Sequence, residues 1–378
     1  AAMIEPLPPE RQEFLAVMGL ADEFTEEMAR FVTENEETSR ILQDLTGQNA
    51  FVTRLPDSKN YRFHHMMKEC ATRKFRTLPG ASQTAYWNRF GDWYGAHGQY
   101  LHALDAYRMS ANNDAALAII EKDAGNLLSA IAPEDLLSRL DACPAEVLMR
   151  HPTALLVLMR RLFTWRQIPK MLQMKALLAR AIAESPDMTA DERGNLLGEC
   201  DLIMSFLSYN DITEMSRLHR SASRQMTRSA VTIQAGSWTF GSPSVLMMYY
   251  RAPGELQKEL HEMNECMPHY YRITNGHGLG AELVMAAEAS FMQGRLHEAE
   301  SGSCVPRRPI CRGVSRTRTS RWRAPMPGSR ATGRKTWRSA AIFFSSGCAS
   351  RRERGGFLTW KAASNLFRRG MTWCCSIC

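Results

Sequence analysis

The feature that most constrains this chain is a helix–turn–helix signature that returns along it. An aromatic or large apolar residue is followed by a turn residue, an apolar residue two places on, and a small or apolar one three further. Tyr94-x-x-x-Gly98-x-Tyr100-x-x-Ala103 and Phe291-x-x-Gly294-x-Leu296-x-x-Ala299 are the clear copies. Weaker ones run through Phe163, Arg166, Ile168 and Met171, through Leu207, Asn210, Ile212 and Met215, and through Gly254, Leu256 and Leu260. The turn positions 98, 166, 210, 254 and 294 are separated by 68, 44, 44 and 40 residues. A period of about 40 residues belongs to two-helix solenoid repeats. The reason is physical: a lone helical hairpin cannot bury its apolar face, whereas stacked hairpins bury one continuous core. Gly or Asn permits a left-handed turn between helices, and Ala permits close approach of neighbours.

Residues 81–300 therefore read as a TPR-like helical-repeat superhelix. Leu155, Leu156, Leu158 and Met159 are expected to pack, as are Met171, Leu172, Met174, Leu177 and Leu178. The 22 methionines read as core filler, with an adaptable ligand groove as the other reading.

The first 80 residues have a different pattern. Pro8-Pro9-Glu10 opens a short helix with Phe14, Leu15 and Met18 on one face. Thr25 is a candidate N-cap, and Phe24 a candidate staple for the same helix. A third helix is expected over about 36–46, with Ile41, Leu42 and Leu45 at helical spacing. A β-rich stretch, Ala50 to Leu55, meets a turn cluster, Pro56 to Asn60, and returns through Tyr61-Arg62-Phe63. His64-His65 then begins a helix running to about Phe75. The unit is winged-helix-like. Its third helix carries Glu36, Glu37 and Asp44 against Arg40 alone, a face that a phosphate backbone repels, so packing or domain coupling is expected of it. His64 and His65 are adjacent rather than at the i,i+3 or i,i+4 spacing of a helical metal pair, and capping and packing are expected of them.

Composition divides the chain. Residues 301–378 hold 17 Lys+Arg and one acid, Glu353; residues 1–300 hold 30 Lys+Arg and 38 Asp+Glu. The sequence pI of about 9.0 describes neither part. Cysteine divides the same way: Cys70, Cys143, Cys200 and Cys266 are widely spaced, as in a reducing cytosol, and six more crowd the tail. Helical periodicity stops at 300 and leucine nearly disappears. The tail reads as an unstructured Arg/Cys-rich segment, expected to be the product of a shifted reading frame; a genuine Arg-rich nucleic-acid-binding tail is the alternative. Gly328 to Thr336 nearly spells a phosphate loop, but its Lys335 stands one place late and no strand precedes it.

No stretch is long and apolar enough for a membrane span, and the start has no signal-peptide pattern. Residues 1–300 contain no nucleophile elbow, metal triad or phosphate loop, so an enzyme is not expected. The segment from Val231 to Gly254 is rich in aromatics among Gly and Pro and cannot be one helix. Aromatic loops between repeats are where ligands often bind. Trp238, Phe240, Tyr249 and Tyr250, with Tyr270 and Tyr271 about one repeat later, are the candidate ligand-binding residues; His269 and His277 lie beside the latter. A plain packing insertion is the other reading.

Three stretches carry a resemblance. LPPERQEFLAVMGLADEFTEEMARFVT (7–33), NAFVTRLPDSKNYRFHHMM (49–67) and WYGAHGQYLHALDAY (93–107) are similar, in order, to the interior of the MalT-like (maltose-regulon activator) family of LuxR-type regulators. The aromatic-Arg-aromatic-His-His run at Tyr61–His65 is the most specific element. The resemblance implies a STAND-class, ATP-dependent transcription regulator: an ATPase module, a winged helix, a helical-repeat sensor and a C-terminal DNA-binding helix-turn-helix. Neither a P-loop before Pro6 nor a helix-turn-helix after Glu300 is present, so no ATP-contacting or DNA-contacting residue carries over. ATP is expected only of the full-length family, and no cofactor of this chain.

The expectation is an all-α chain: a coupling winged helix (1–80), a TPR-like sensor (81–300) and an unstructured tail (301–378). It would be a cytoplasmic regulator fragment whose partner is a small-molecule inducer or a regulatory protein. Self-association is also expected, with DNA reached only through an absent module and no membrane partner. A stand-alone TPR-like interaction scaffold is the alternative.

Overall fold

A computed structural model of the chain describes residues 4–47, 52–56, 58–208, 211–233, 244–249 and 252–302. The tail from 303, with its near-miss phosphate loop, lies outside them, as do Asn210, Trp238, Phe240 and Tyr250. The described residues are mostly helical. They fall into two compact units, with the division between Leu196 and Leu197.

The first unit opens with α1 (Pro9–Met18), strand β1 (Phe24–Thr25), α2 (Glu26–Thr33), α3 (Thr38–Gly47), β2 (Val52–Arg54), β3 (Asn60–Phe63) and α4 (His65–Phe75). Strand order is β1-β3-β2, both pairings antiparallel, with Phe24 opposite Tyr61 and Val52 opposite Phe63. This is winged-helix topology. Thr25 caps α2 as expected, its Oγ1 accepting from the Met28 amide at 3.1 Å. Phe24 does something the sequence reading did not give it. It forms a third strand and packs its ring on Tyr61 and Phe63, at 5.8 and 5.6 Å between centroids, in the same buried cluster as Met28 and Ala29 of α2.

The core of this winged helix does not close on itself. Phe14, Leu15, Met18, Met28, Leu42 and Met67 are buried in the same cluster as Phe90 and Ala106. Phe90 lies on α5 (Gly80–Ala96) and Ala106 on α6 (Tyr100–Met109), the first helical hairpin. Phe75 at the end of α4 meets Trp87 edge-on at 5.8 Å. Arg89 of α5 donates to the Val32 carbonyl at 3.2 Å and pairs with Glu34, just past α2. Apolar burial is the main favourable term in such a contact.

Helices follow in sequence: α7 (Asn113–Lys122), a 3-10 turn (Asn126–Ala130), α8 (Pro133–Ala142), α9 (Ala145–Met149), α10 (Pro152–Thr164), α11 (Ile168–Glu184) and α12 (Ala190–Ser205). The second unit continues with α13 (Ile212–Gln225), α14 (Val245–Tyr249), α15 (Leu256–Ile273), α16 (Ala281–Met292) and α17 (Leu296–Gly302).

One turn recurs between these helices. Gly98, Arg166 and Gly294 have φ of 72°, 59° and 78°. The amide after each donates back across the turn: Gln99 to the Tyr94 carbonyl at 2.9 Å, Gln167 to Leu162 at 2.8 Å, and Arg295 to Ser290 at 2.9 Å. This six-to-one bond is the Schellman closure, which satisfies carbonyls left over at a helix end. The next helix starts one residue later, at Tyr100, Ile168 and Leu296. The same closure forms at Ala111, where Asn112 bonds to Tyr107 at 2.9 Å. Gly254, also at positive φ (90°), stands before α15. Arg166 shows that the geometry outranks the residue type: a non-glycine side chain accepts the left-handed conformation where the hairpin requires it.

Close approach also appears where the motif places small residues. Ala103 is fully buried. A β-carbon built on Gly91 would lie 2.4 Å from the Tyr107 ring, so α5 and α6 cross at a distance only glycine allows. The Tyr107 hydroxyl donates to Asp92 at 2.7 Å. In α10, Leu155, Leu156, Leu158 and Met159 are buried as expected, and Met171, Met174 and Leu178 of α11 likewise. Leu172 is not: it is 44% exposed, because it falls beside the buried stripe of α11 formed by Met171, Met174 and Leu178.

Candidate functional site

In the second unit, Tyr249 and Tyr270 belong to one buried cluster with Met215, Ala222, Met263 and Met285, and Tyr271 packs against its edge. Trp238, Phe240 and Tyr250 cannot be placed with them, since they lie outside the described residues. Tyr270 and Tyr271 meet edge-to-face at 6.3 Å. The Tyr270 hydroxyl is 2.8 Å from His277 Nδ1. The Tyr271 hydroxyl donates to Glu282 and accepts the amides of Gly280 (2.9 Å) and Ala281 (3.2 Å) at the start of α16. Burial first, then the Glu282 hydrogen bond, raises the Tyr271 hydroxyl far above the usual phenol range. Each of these tyrosines therefore supports the packing of α15 on its neighbours.

Beneath them lies a buried polar relay. His219 on α13 is 2% exposed. Its Nε2 is 3.0 Å from Ser205 Oγ, and its Nδ1 is 3.8 Å from Cys266 Sγ. Ser205 donates its proton to the Leu202 carbonyl at 2.6 Å, so Ser205 Oγ accepts from Nε2–H. The Cys266 thiol then faces the bare Nδ1, which defines a neutral imidazole. The Tyr270 ring lies 4.9 Å from the imidazole. Burial lowers the His219 pKa to about 4, with His269 adding to the effect, and burial pushes the Cys266 thiol up to about 12. A thiol and an imidazole so shifted are a neutral packing pair, without the thiolate a nucleophile requires.

The unfolded chain takes up a proton on His219 near pH 6.5, and the folded chain resists until about pH 4. Stability is full above pH 6.5 and falls as pH drops toward 4, by about 3 kcal/mol in all. His219→Gln should flatten that part of the pH profile in urea titrations. A wild-type slope retained in the variant would contradict the assignment.

The first unit holds a groove of about 440 Å³. One side is the segment leading into α2: Asp22, Glu23, Phe24 and Glu27, with Asn60 of β3 beside them. The other is the α5–α6 turn: Trp93, Tyr94, His97, Gln99 and His102. The loop strand β1 and the Schellman turn at Gly98 bring these two sides together from opposite ends of 80 residues of sequence. His97 stacks on Trp93 at 3.9 Å and His102 lies 5.3 Å from Tyr94. Lys68 hydrogen-bonds Asp22 and holds its carboxyl below the ordinary range; Arg62, then Asn60, does the same for Glu23. Burial, with the nearby Asp22 charge, raises Tyr94 to about 12. Sequence reading missed this site. The available signal was the density of Trp, Tyr and His around Gly98; nothing in the pattern said which distant residues it would face.

The exposed positions of α3 and the turn before it are Glu36, Glu37, Arg40, Gln43 and Gly47. Arg40 pairs with Glu37 at 3.4 Å, and Asp44 pairs with Arg11 of α1. Among the described residues, no three His, Cys, Asp or Glu side chains could hold a metal ion, and no helix is long and apolar enough to cross a membrane.

These features converge on a known domain type. Residues 1–83 match the family model of the MalT winged helix domain. The MalT-type domain thus covers α1 to α4, the three strands and the first turn of α5, and the core described above carries it onward into α5 and α6. No curated protein and no solved structure matches the chain.

Proposed function

We propose that this chain is the coupling and sensing part of a MalT-type transcription regulator of the LuxR class. One observation carries the reading: a MalT winged helix at residues 1–83 runs through a shared core into the first helical hairpin. In this reading the hairpins are a TPR-like sensor for an inducer or a regulatory protein, in the cytoplasm. The winged helix transmits the sensor's state and does not read DNA, because Glu36 and Glu37 stand exposed in the turn leading into α3 and the one arginine of that helix is already paired with Glu37. ATP binding and DNA binding belong to flanking modules, and no catalysis is assigned to these residues. A stand-alone interaction scaffold built on the same hairpins is the second reading.

The coding DNA on either side separates the two. The regulator reading expects an ATPase module joined in frame upstream, and a LuxR-type helix-turn-helix encoded downstream in a frame other than that of residues 301–378. A start codon immediately before residue 1, with neither module nearby, would leave only the scaffold.

A further inference from the structure

The groove between the winged helix and the first hairpin has a composition that selects its occupant. Three carboxylates line it, from Asp22, Glu23 and Glu27, and none of its described lining residues is Lys or Arg. Asp22 and Glu23 are engaged by Lys68 and Arg62 from outside the groove. Glu27 is exposed and has no hydrogen-bond or ion-pair partner among the described residues. Carboxylates facing ring systems across a water-accessible cleft suit a planar cation. A guanidinium forks onto carboxylate oxygens and stacks on aromatic rings, which an ammonium does less well. An anionic ligand would meet the uncompensated charge of Glu27, Asp22 and Glu23 already having Lys68 and Arg62 as counter-ions. A volume of about 440 Å³ leaves room for a guanidinium together with the backbone that carries it.

We propose that this groove docks an arginine-bearing segment of a partner protein, with Glu27 as its principal acceptor. Such a segment touches β1, the start of α2 and the α5–α6 turn at once, so its binding fixes how the wing sits on the first hairpin. This extends the regulator reading by naming a partner chemistry. Binding itself requires neither flanking module, so the two ideas fail separately.

The test is a fluorescence-anisotropy titration of the full chain with labelled acetyl-Gly-Arg-Ala-Arg amide. Saturable binding is expected, weakened by added salt. Glu27→Gln should weaken it about tenfold with at most a small drop in thermal stability, since Glu27 has no side-chain partner and only its place in the first turn of α2 favours a negative charge there. Glu37→Gln removes the same charge away from the groove and should have no effect. The citrulline form of the peptide, neutral and similar in shape, should not bind. Equal weakening by Glu37→Gln would reduce the effect to diffuse charge and overturn the site. Retained binding of the citrulline peptide, or equally tight binding of free arginine amide, would also overturn it.

Discussion

Phe90→Ala should cost the first unit about 3–5 kcal/mol and lower the stability of the winged helix and the first hairpin together. Phe90 belongs to α5, beyond the MalT winged helix match, yet it is 2% exposed and buried in the same cluster as Phe14 of α1 and Met67 of α4. Its ring lies 5.8 Å from Trp87 and 6.1 Å from Tyr94, so truncation opens a cavity that rigid aromatic neighbours fill poorly. Urea unfolding followed by circular dichroism reads the loss. A cost below about 1 kcal/mol, the size of an ordinary surface change, would mean that α5 merely leans on the winged helix.

Leu158→Ala should be nearly as damaging, at about 2–5 kcal/mol. Leu158 is fully buried in α10, a helix whose residues Leu155 to Met159 are all buried. A helix buried around most of its circumference is what a stacked array produces in its interior, whereas a surface helix buries one stripe. Leu172→Ala is the paired control. It removes the same side chain from the 44% exposed flank of α11 and should change stability by no more than about 0.5 kcal/mol. Similar losses from both would contradict the arrangement of α10 between α7, α9 and α11. Melting temperatures of the two variants, measured side by side, give the comparison.

What the sequence revealed and what it hid have separate causes. The hairpin turns at Gly98 and Gly294, and the left-handed residue Gly254 before α15, were legible because glycine at such a position leaves a chemical mark. Arg166 was found by spacing from apolar neighbours, and its φ of 59° agrees. The equivalent turns at Ala111 and Ala124 went unseen, since alanine carries no turn signal. The wing was legible from a β-rich stretch on either side of a turn cluster. Strand β1 was not, because two residues cannot display alternation, and Thr25 already had a role as a cap. Leu172 was misassigned because helical spacing identifies a stripe but not its width. The acidic groove required knowing that Glu27 and Trp93 meet, which depends on how α5 crosses α2 and is not written locally.

A coupling role requires the winged helix and the first hairpin to be one mechanical piece. Native-state hydrogen exchange measures this directly. Amides of α1 around Leu15 and Val17 and of α5 around Phe90 and Gly91 should exchange through one shared opening, with the same free energy and the same dependence on added denaturant. Exchange of α5 and α6 at distinctly lower cost, while α1 and α4 remain protected, would show a winged helix that folds and opens alone, and the coupling role would go with it.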